Sequence, residues 1–143
     1  MGEALSKKRL FEEALAEAEL EGIFEVIELD DAYGFRAVQN IKNGRALLLV
    51  ILDESIYATG SITFATLDDL SKKEKILRLF NELNAGYKNT KFFISDDNEL
   101  ICQMSYVALA EDFRADVFLR AFINLFKTLA DNDYAKIMRV LWS

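Results

Sequence analysis

Apolar residues recur along the chain with two different spacings, and each spacing predicts one type of element. Over residues 4–21 they fall on one stripe at intervals of three and four, which predicts an amphipathic helix. The stripe comprises Leu10, Phe11, Ala14, Leu15 and Ala18. Gly22 is expected to end this helix, because glycine adopts the left-handed conformation of a helix C-terminus without strain.

From residue 24 to residue 66 the spacing changes to the two-residue alternation of β-strands. Four strands are predicted, over 24–29, 35–42, 45–52 and 56–66. Asn43-Gly44 predicts a tight hairpin between the second and third strands, because both residues tolerate a positive φ. The third strand is apolar on both faces, so we expect it to be central in the sheet or covered on both sides. Gly60 predicts a bulge or a bend.

The second half of the chain repeats the change from helix to strand and ends in helix. Ser71 and Glu74 match a capping box and predict a helix that Gly86 ends in the left-handed conformation. Two strands are predicted over 91–95 and 99–108, with a turn at 96–98. A long apolar helix is predicted from residue 112 or 113, interrupted at 131–133 and followed by a helical piece over 134–142.

This order of elements predicts an α+β fold with a mostly antiparallel, twisted sheet of about five or six strands packed with helices. The order is helix, four strands, helix, two strands, helix. The 143 residues contain no proline, and no linker, repeat or low-complexity segment divides them. We therefore predict a single domain over residues 1–143.

Charge and composition narrow the class of protein. A net charge of −7 disfavours binding to nucleic acid, because that affinity comes mostly from Lys and Arg neutralising phosphates. The same charge disfavours anionic membrane surfaces, and the longest apolar run, 46–52, is too short to span a bilayer. The single Cys102 cannot form an internal disulfide, and no signal-peptide pattern opens the chain. We expect a cytoplasmic protein.

Catalytic chemistry finds little support in the sequence. The chain has no histidine, which removes the commonest general base and metal ligand. Cys102 alternates with apolar residues and is expected to be a buried structural thiol. The acidic clusters at 30–31, 68–69, 96–97 and 131–133 fall at predicted turns or helix boundaries, and none fits a calcium loop. We therefore expect no enzyme activity, no metal and no cofactor.

Five apolar residues stand apart from the predicted core and are candidate partner-binding residues. Phe93, Ile101 and Val107 point to the opposite face of their strands from the main apolar set, and Leu119 and Ile123 widen the stripe of the last long helix. Two interpretations remain open. These residues form additional core, or they belong to a surface that binds a second copy or another protein.

The run FNELNAGYKNTKFFISDDNELICQMSY, over residues 80–106, resembles the YbjN family of small bacterial proteins. In that family a helix ending in an asparagine-containing pattern leads into a strand, an acidic turn and a second strand. Residues 133–138 also resemble the family's C-terminal segment, although Ala135 stands where proline is common. The resemblance implies a fold similar to that of type III secretion chaperones, often dimeric, and a binding, chaperone-like or sensory regulatory role. It implies no catalytic residue.

The first functional hypothesis is therefore a non-catalytic module that binds another protein and forms a homodimer. The alternative is a sensory or regulatory protein that binds a small ligand in a pocket beside the sheet. Asn81 and Asn84 are expected to cap the helix end and to bond the neighbouring strand.

Overall fold

The structure is a computed structural model and describes residues 2–143. The helices are α1 (Gly2–Glu17), α2 (Lys73–Gly86), α3 (Ala115–Thr128) and α4 (Tyr134–Leu141). The strands are β1 (Glu25–Leu29), β2 (Ala32–Ile41), β3 (Gly44–Asp53), β4 (Tyr57–Thr66), β5 (Thr90–Ile94) and β6 (Glu99–Val107). The predicted α+β fold class and the predicted order of elements are confirmed.

The six strands form one sheet in the order β1-β2-β3-β4-β6-β5, and every neighbouring pair is antiparallel. The apolar strand β3 lies between β2 and β4, so the prediction that it is central is confirmed. The two five-residue strands, β1 and β5, are the edges. Of β3, Leu48, Val50 and Leu52 are buried, whereas the alternate residues are half-buried.

All four helices pack on one face of this sheet. Phe11 of α1 lies edge-on to Phe35 of β2, with ring centres 4.8 Å apart. The ring of Phe80 of α2 contacts the ring of Phe92 of β5, with ring centres 5.4 Å apart. Helix α4 reaches the same face through Tyr134. The hydrophobic core therefore forms a single layer between the helices and one side of the sheet.

Gly60 lets α3 approach the sheet closely, and of the predicted bulge or bend, the bulge does not occur at this residue. Gly60 pairs regularly with Val50 and Met104, and the register shift in β4 occurs between Thr63 and Ala65 instead. A Cβ atom on Gly60 would lie 2.7 Å from Cδ1 of Phe122. The glycine is therefore required by packing, because the ring of Phe122 lies directly against its backbone.

The C-terminus of α1 lies five residues before the predicted glycine cap. The N–H of Leu20 bonds the carbonyl of Leu15 at 2.8 Å, and the N–H of Glu19 bonds the carbonyl of Ala16 at 3.1 Å. This pair of bonds is a Schellman motif, with Glu19 in the left-handed conformation at φ 59°. The prediction of Gly22 as the cap is wrong, because a non-glycine residue accepts the positive φ.

Two other turn assignments also change in detail. The hairpin between β2 and β3 is confirmed, but its two loop residues are Lys42 and Asn43, and the positive φ falls on Lys42. Asp69, rather than Ser71, caps the turn that precedes α2, since its carboxylate accepts bonds from the N–H and hydroxyl of Ser71. Helix α2 ends at Gly86 as predicted, but without a positive φ there.

The predicted interruption at 131–133 is a change of helical pitch. Leu129–Asp133 forms a π-helical turn that joins α3 directly to α4. This wider turn places Asp133 in the interior, where it is 5% exposed. The acidic sequence there therefore does not end the helix, although it does mark an irregularity in it.

A buried lysine fastens α1 to the loop between β3 and β4. Lys7 is fully buried, and its ammonium donates to the carbonyls of Asp53 at 3.1 Å, Ser55 at 2.5 Å and Tyr57 at 3.0 Å. Three donors meet three carbonyl acceptors, so the ammonium is fully hydrogen-bonded although no carboxylate within residues 2–143 pairs with it. The N–H of Ala4 also bonds the carboxylate of Glu54 at 3.0 Å.

Candidate functional site: the open face of the sheet

The face of the sheet away from the helices, called the open face below, displays many apolar side chains. Within residues 2–143, the aromatic contacts between helices and sheet lie on the other face. The apolar residues of the open face are Ile27, Leu29, Val38, Leu47, Leu49, Ile51, Tyr57, Phe93, Ile101 and Val107. A sheet face that displays this many apolar side chains is a candidate interaction site.

The relief of the open face is set by the pairing of β3 with β4. Leu47, Leu49 and Ile51 form a ridge of long aliphatic side chains along β3. The residues directly opposite them on β4 are Thr63, Ser61 and Thr59, whose short side chains form a groove. The ridge and the groove run side by side, about 4.8 Å apart, as neighbouring strands must.

The charges of the open face balance, although the chain as a whole is acidic. Three basic side chains lie on it, Arg36, Arg45 and Lys91, together with three acidic ones. The acidic ones are Glu25, Asp53 and Glu99, and Glu25 is ion-paired with Arg36. The net charge of −7 therefore resides elsewhere on the molecule.

The five predicted partner-binding residues do not come together. Phe93, Ile101 and Val107 lie on the open face, where Val107 is 66% exposed and the other two are half-buried. Leu119 and Ile123 lie on α3, on the other side of the sheet, and Leu119 is only 3% exposed. Leu119 therefore has almost no surface to offer a partner, because it packs in the core. A partner-binding role for the remaining four stays a prediction.

Sequence reasoning missed most of the open face. It pointed only to residues of β5 and β6 on this face. The open face also includes the ridge of β3, Val38 beside it on β2 and Ile27 on β1. The signal was present, because 46–52 is apolar on both faces. A strand of that kind fits either two covering layers or one covering layer and one bare surface, and only the packed structure distinguishes them.

The side chain of Asn84 bonds the backbone of β5, an edge strand of the sheet. Its side-chain amide donates to the carbonyl of Phe92 at 3.1 Å, and its oxygen accepts from the N–H of Phe92 at 2.6 Å. Both backbone groups of one edge residue are thus satisfied by a side chain of α2, which protects the edge against further strand pairing. The predicted bonding of Asn84 to the neighbouring strand is confirmed, whereas Asn81 is exposed within α2 and caps nothing.

A match to a family model over most of the chain identifies the family. The sequence matches YbjN, described as "Putative bacterial sensory transduction regulator", over residues 8–138. The chain belongs to the YbjN family. No curated protein matches the chain. The family description names a regulatory role.

The buried Asp133 influences the pKa of both the half-buried Tyr87 and the buried Cys102. The hydroxyl of Tyr87 donates a short hydrogen bond to the buried carboxylate of Asp133. Burial, together with that hydrogen bond, raises the pKa of Tyr87. Burial also raises the pKa of Cys102 to about 12, with the nearby charge of Asp133 adding to the effect. The predicted burial of Cys102 is confirmed, and the thiol is neutral at physiological pH.

Two surface clefts lie on the helical side of this YbjN protein. One, of about 340 Å³, runs between α1 and α3 and includes Ala14, Leu119 and Ile123. The other, of about 490 Å³, lies beside the end of β4 and is lined by Phe64, Tyr134, Met138 and Trp142 among others. Both have the size of small-molecule sites, which span about 300–1,000 Å³.

Residues 2–143 of this YbjN protein contain neither a metal-binding cluster nor a membrane-spanning helix. Across these residues no three Cys, Asp or Glu side chains are grouped closely enough to hold a metal ion. Over the same residues, no helix combines the length and the apolar character needed to cross a bilayer.

Proposed function

We propose that this YbjN protein is a non-catalytic regulatory binding protein whose open face binds a second copy of the chain. The observation that carries the proposal is the ridge of Leu47, Leu49 and Ile51 beside the groove of Thr59, Ser61 and Thr63. A two-fold axis between β3 and β4 would lay the ridge of each copy in the groove of the other. Such a self-complementary surface suits an isologous dimer.

Area and charge support the same partner. At about 4.8 Å between strands and about 3.3 Å per residue, the six strands cover an open face of about 800 Å². A standard protein interface buries roughly 800 Å² on each partner, so one open face supplies what a stable dimer needs. Its balanced charges add no repulsion at the interface between two open faces.

A non-catalytic role is supported by the side chains that the chain lacks or buries. There is no histidine to serve as a general base. The one thiol is buried, and its pKa of about 12 keeps it protonated and unreactive. Binding, rather than bond-making chemistry, is then what the exposed surface can provide.

The test is a charge placed in the groove. Ser61 lies opposite Leu49, and Ser61→Arg would fill the groove with a cation while leaving the ridge intact. The matched control is Leu77→Arg, which puts the same cation at an exposed position on α2. Sedimentation velocity over a range of protein concentrations would report the oligomeric state, and circular dichroism would show that each variant is folded.

We expect the wild type and Leu77→Arg to be dimers and Ser61→Arg to be a monomer. A monomeric wild type at every concentration contradicts the proposal, as does a dimer that Ser61→Arg leaves intact. If Ser61→Arg does not fold, Val38→Glu tests the same surface at a position that is 49% exposed.

A second candidate function is the binding of a small ligand in the cleft of about 490 Å³ beside β4. The indole of Trp142 is 76% exposed there, and Asp68 and Asp69 line the same cleft. An aromatic face together with carboxylates favours a cationic, partly apolar ligand. This site lies on the helical side of the sheet and is independent of the open face.

Trp142 makes that alternative easy to test, because it is the only tryptophan in the chain. A cationic aromatic ligand should change its fluorescence and raise the melting temperature. At 100 times its dissociation constant such a ligand adds about 2.7 kcal/mol of stability. A fluorescence change that persists in Asp68→Asn with Asp69→Asn contradicts recognition by the carboxylates.

A further inference from the structure

The two edge strands of the sheet differ in whether other parts of the molecule bond their outward backbone groups. At the β5 edge, Asn84 bonds both backbone groups of Phe92. At the β1 edge, no strand pairs outside β1 in the part of the chain that the structure describes. Because alternate residues of an antiparallel edge strand point their N–H and C=O groups outward, β1 offers at least two residues with free pairing groups.

The β1 edge is also well exposed and partly apolar. Four of the five residues of β1 are exposed, and only Ile27 is half-buried. Val26, on the helical side of the sheet, is 42% exposed, and Leu29, on the open face, is 48% exposed. An added strand would therefore find apolar contacts on both faces as well as backbone partners.

The chain segment that forms this edge carries charge of one sign only, although Arg36 of the neighbouring strand β2 is ion-paired with Glu25. Residues 10–35 contain nine Asp and Glu residues and no Lys or Arg, which leaves 17 Lys and Arg against 15 acids in the rest of the chain. This segment holds the end of α1, the loop before β1, β1 itself and the turn after it. Glu21, Glu28 and Asp30 are exposed and make no ion pair within residues 2–143.

We propose that β1 binds an extended segment of another protein by strand addition, and that this segment alternates Lys or Arg with apolar residues. Backbone hydrogen bonds to the free edge would supply affinity. The acidic surroundings of Glu21, Glu28 and Asp30 select the charge of the partner, because opposite charges attract and like charges across a strand pair repel.

A second copy of the chain does not fit this edge. Pairing β1 with β1 of another copy would bring two acidic segments together, each without a basic residue over 10–35. The charges favour a basic partner instead. The proposal does not require dimer formation through the open face, because its backbone hydrogen bonds form along the strand edge, although Leu29 belongs to both surfaces.

The probe is a short synthetic peptide in which Lys alternates with Val and Thr, labelled with a fluorophore. Two control peptides accompany it. One carries Glu in place of each Lys, and the other is methylated at the backbone nitrogens of one edge, which removes hydrogen bonding along that edge only. Fluorescence anisotropy gives the affinity, and amide hydrogen exchange of the protein, followed by NMR, shows where the peptide binds.

We expect the Lys peptide to bind and to slow exchange at amides of β1, and both control peptides to bind about ten-fold more weakly or not at all. Glu21→Lys combined with Glu28→Lys should weaken binding of the Lys peptide by a similar factor. Glu82→Lys, at an exposed position on α2, should leave binding nearly unchanged.

Several results would overturn the inference. Equal affinity for the methylated peptide would mean that no strand is added, and equal affinity for the Glu peptide would mean that charge does not select the partner. Slower amide exchange at β5 on addition of the peptide would place the binding site at the other edge. Slower exchange at β1 in concentrated protein without peptide would mean that a second copy of the chain binds there. The same titration on Ser61→Arg separates the two proposals, because peptide binding should persist there while the dimer is lost.

Discussion

The contact between Gly60 and Phe122 provides the sharpest test of how α3 packs on the sheet. Phe122 is 1% exposed, and its ring lies against the position where Gly60 lacks a Cβ. The ring also stacks parallel to Phe118, at 6.4 Å between centres. Removing the ring and adding the missing Cβ are therefore opposite perturbations of one contact, and a double-mutant cycle can compare them.

The magnitudes follow from the geometry. Phe122→Ala should lower the free energy of unfolding by about 3–5 kcal/mol, because it deletes a fully buried ring and leaves a cavity. Gly60→Ala alone should destabilise by about 1–3 kcal/mol, since its Cβ would lie 2.7 Å from Cδ1 of the ring. In the Phe122→Ala background the same Cβ meets no ring. There Gly60→Ala should stabilise by about 0.4–1 kcal/mol through the entropy of the unfolded chain.

The assay is urea unfolding of the wild type, both single variants and the double variant, followed by circular dichroism. The dependence of the free energy on denaturant concentration should be the same for all four, so that differences in midpoint report stability. The expected interaction energy between the two sites is about 1.5–4 kcal/mol.

Additive effects would refute the packing argument, since additivity means that the two residues do not touch. A loss below about 1 kcal/mol for Phe122→Ala would place the ring at the surface instead of in the core. A destabilising Gly60→Ala in both backgrounds would point to a backbone requirement at Gly60 unrelated to Phe122.

Three further predictions concern buried polar groups. Lys7→Met should lower the free energy of unfolding by more than about 3 kcal/mol, because three carbonyls lose their donor. Lys75→Met, at an exposed position, should change it by less than about 0.5 kcal/mol in the same urea assay. Asn84→Ala should lower stability by about 1–3 kcal/mol and speed hydrogen exchange in β5, and Asn81→Ala should do neither. The free energy of unfolding should fall as pH rises from about 9 towards 12, because the pKa of Cys102 is 9.0 in the unfolded chain and about 12 in the folded protein. A urea midpoint that does not change across that pH range would contradict this prediction.

Local sequence patterns predicted much of the fold. The stripe in α1, the alternation in β2 to β4 and the turn at 96–98 each depend on residues a few positions apart, so they can be read from the sequence alone. Apart from the bulge expected at Gly60 in the middle of β4, the errors lie at element ends. Glu19 accepts a left-handed conformation that Gly22 was expected to take, and Asp69 caps where Ser71 was expected to. Competing caps a few residues apart differ by about 1 kcal/mol or less, which is too little for local preference to decide.

The candidate site was predicted only in part. Alternation correctly placed Phe93, Ile101 and Val107 opposite the core-facing residues of β5 and β6. It could not show that Leu119 is covered by packing, because a helix stripe widened by apolar residues fits either a deep core or an interface. Alternation could not predict the ridge and the groove either, because they arise from the register that pairs Leu49 of β3 with Ser61 of β4.

The sequence by itself determined the class of fold, the identity of most elements, the single-signed charge of residues 10–35 and the lack of histidine chemistry. Only the tertiary structure decided which surfaces remain bare. Within residues 2–143 it placed all four helices on one face, bonded the β5 edge to Asn84 and left the β1 edge and the open face uncovered. The physical reason is the range of the interactions: propensity and alternation act between near neighbours, whereas coverage depends on contacts between residues far apart in the chain.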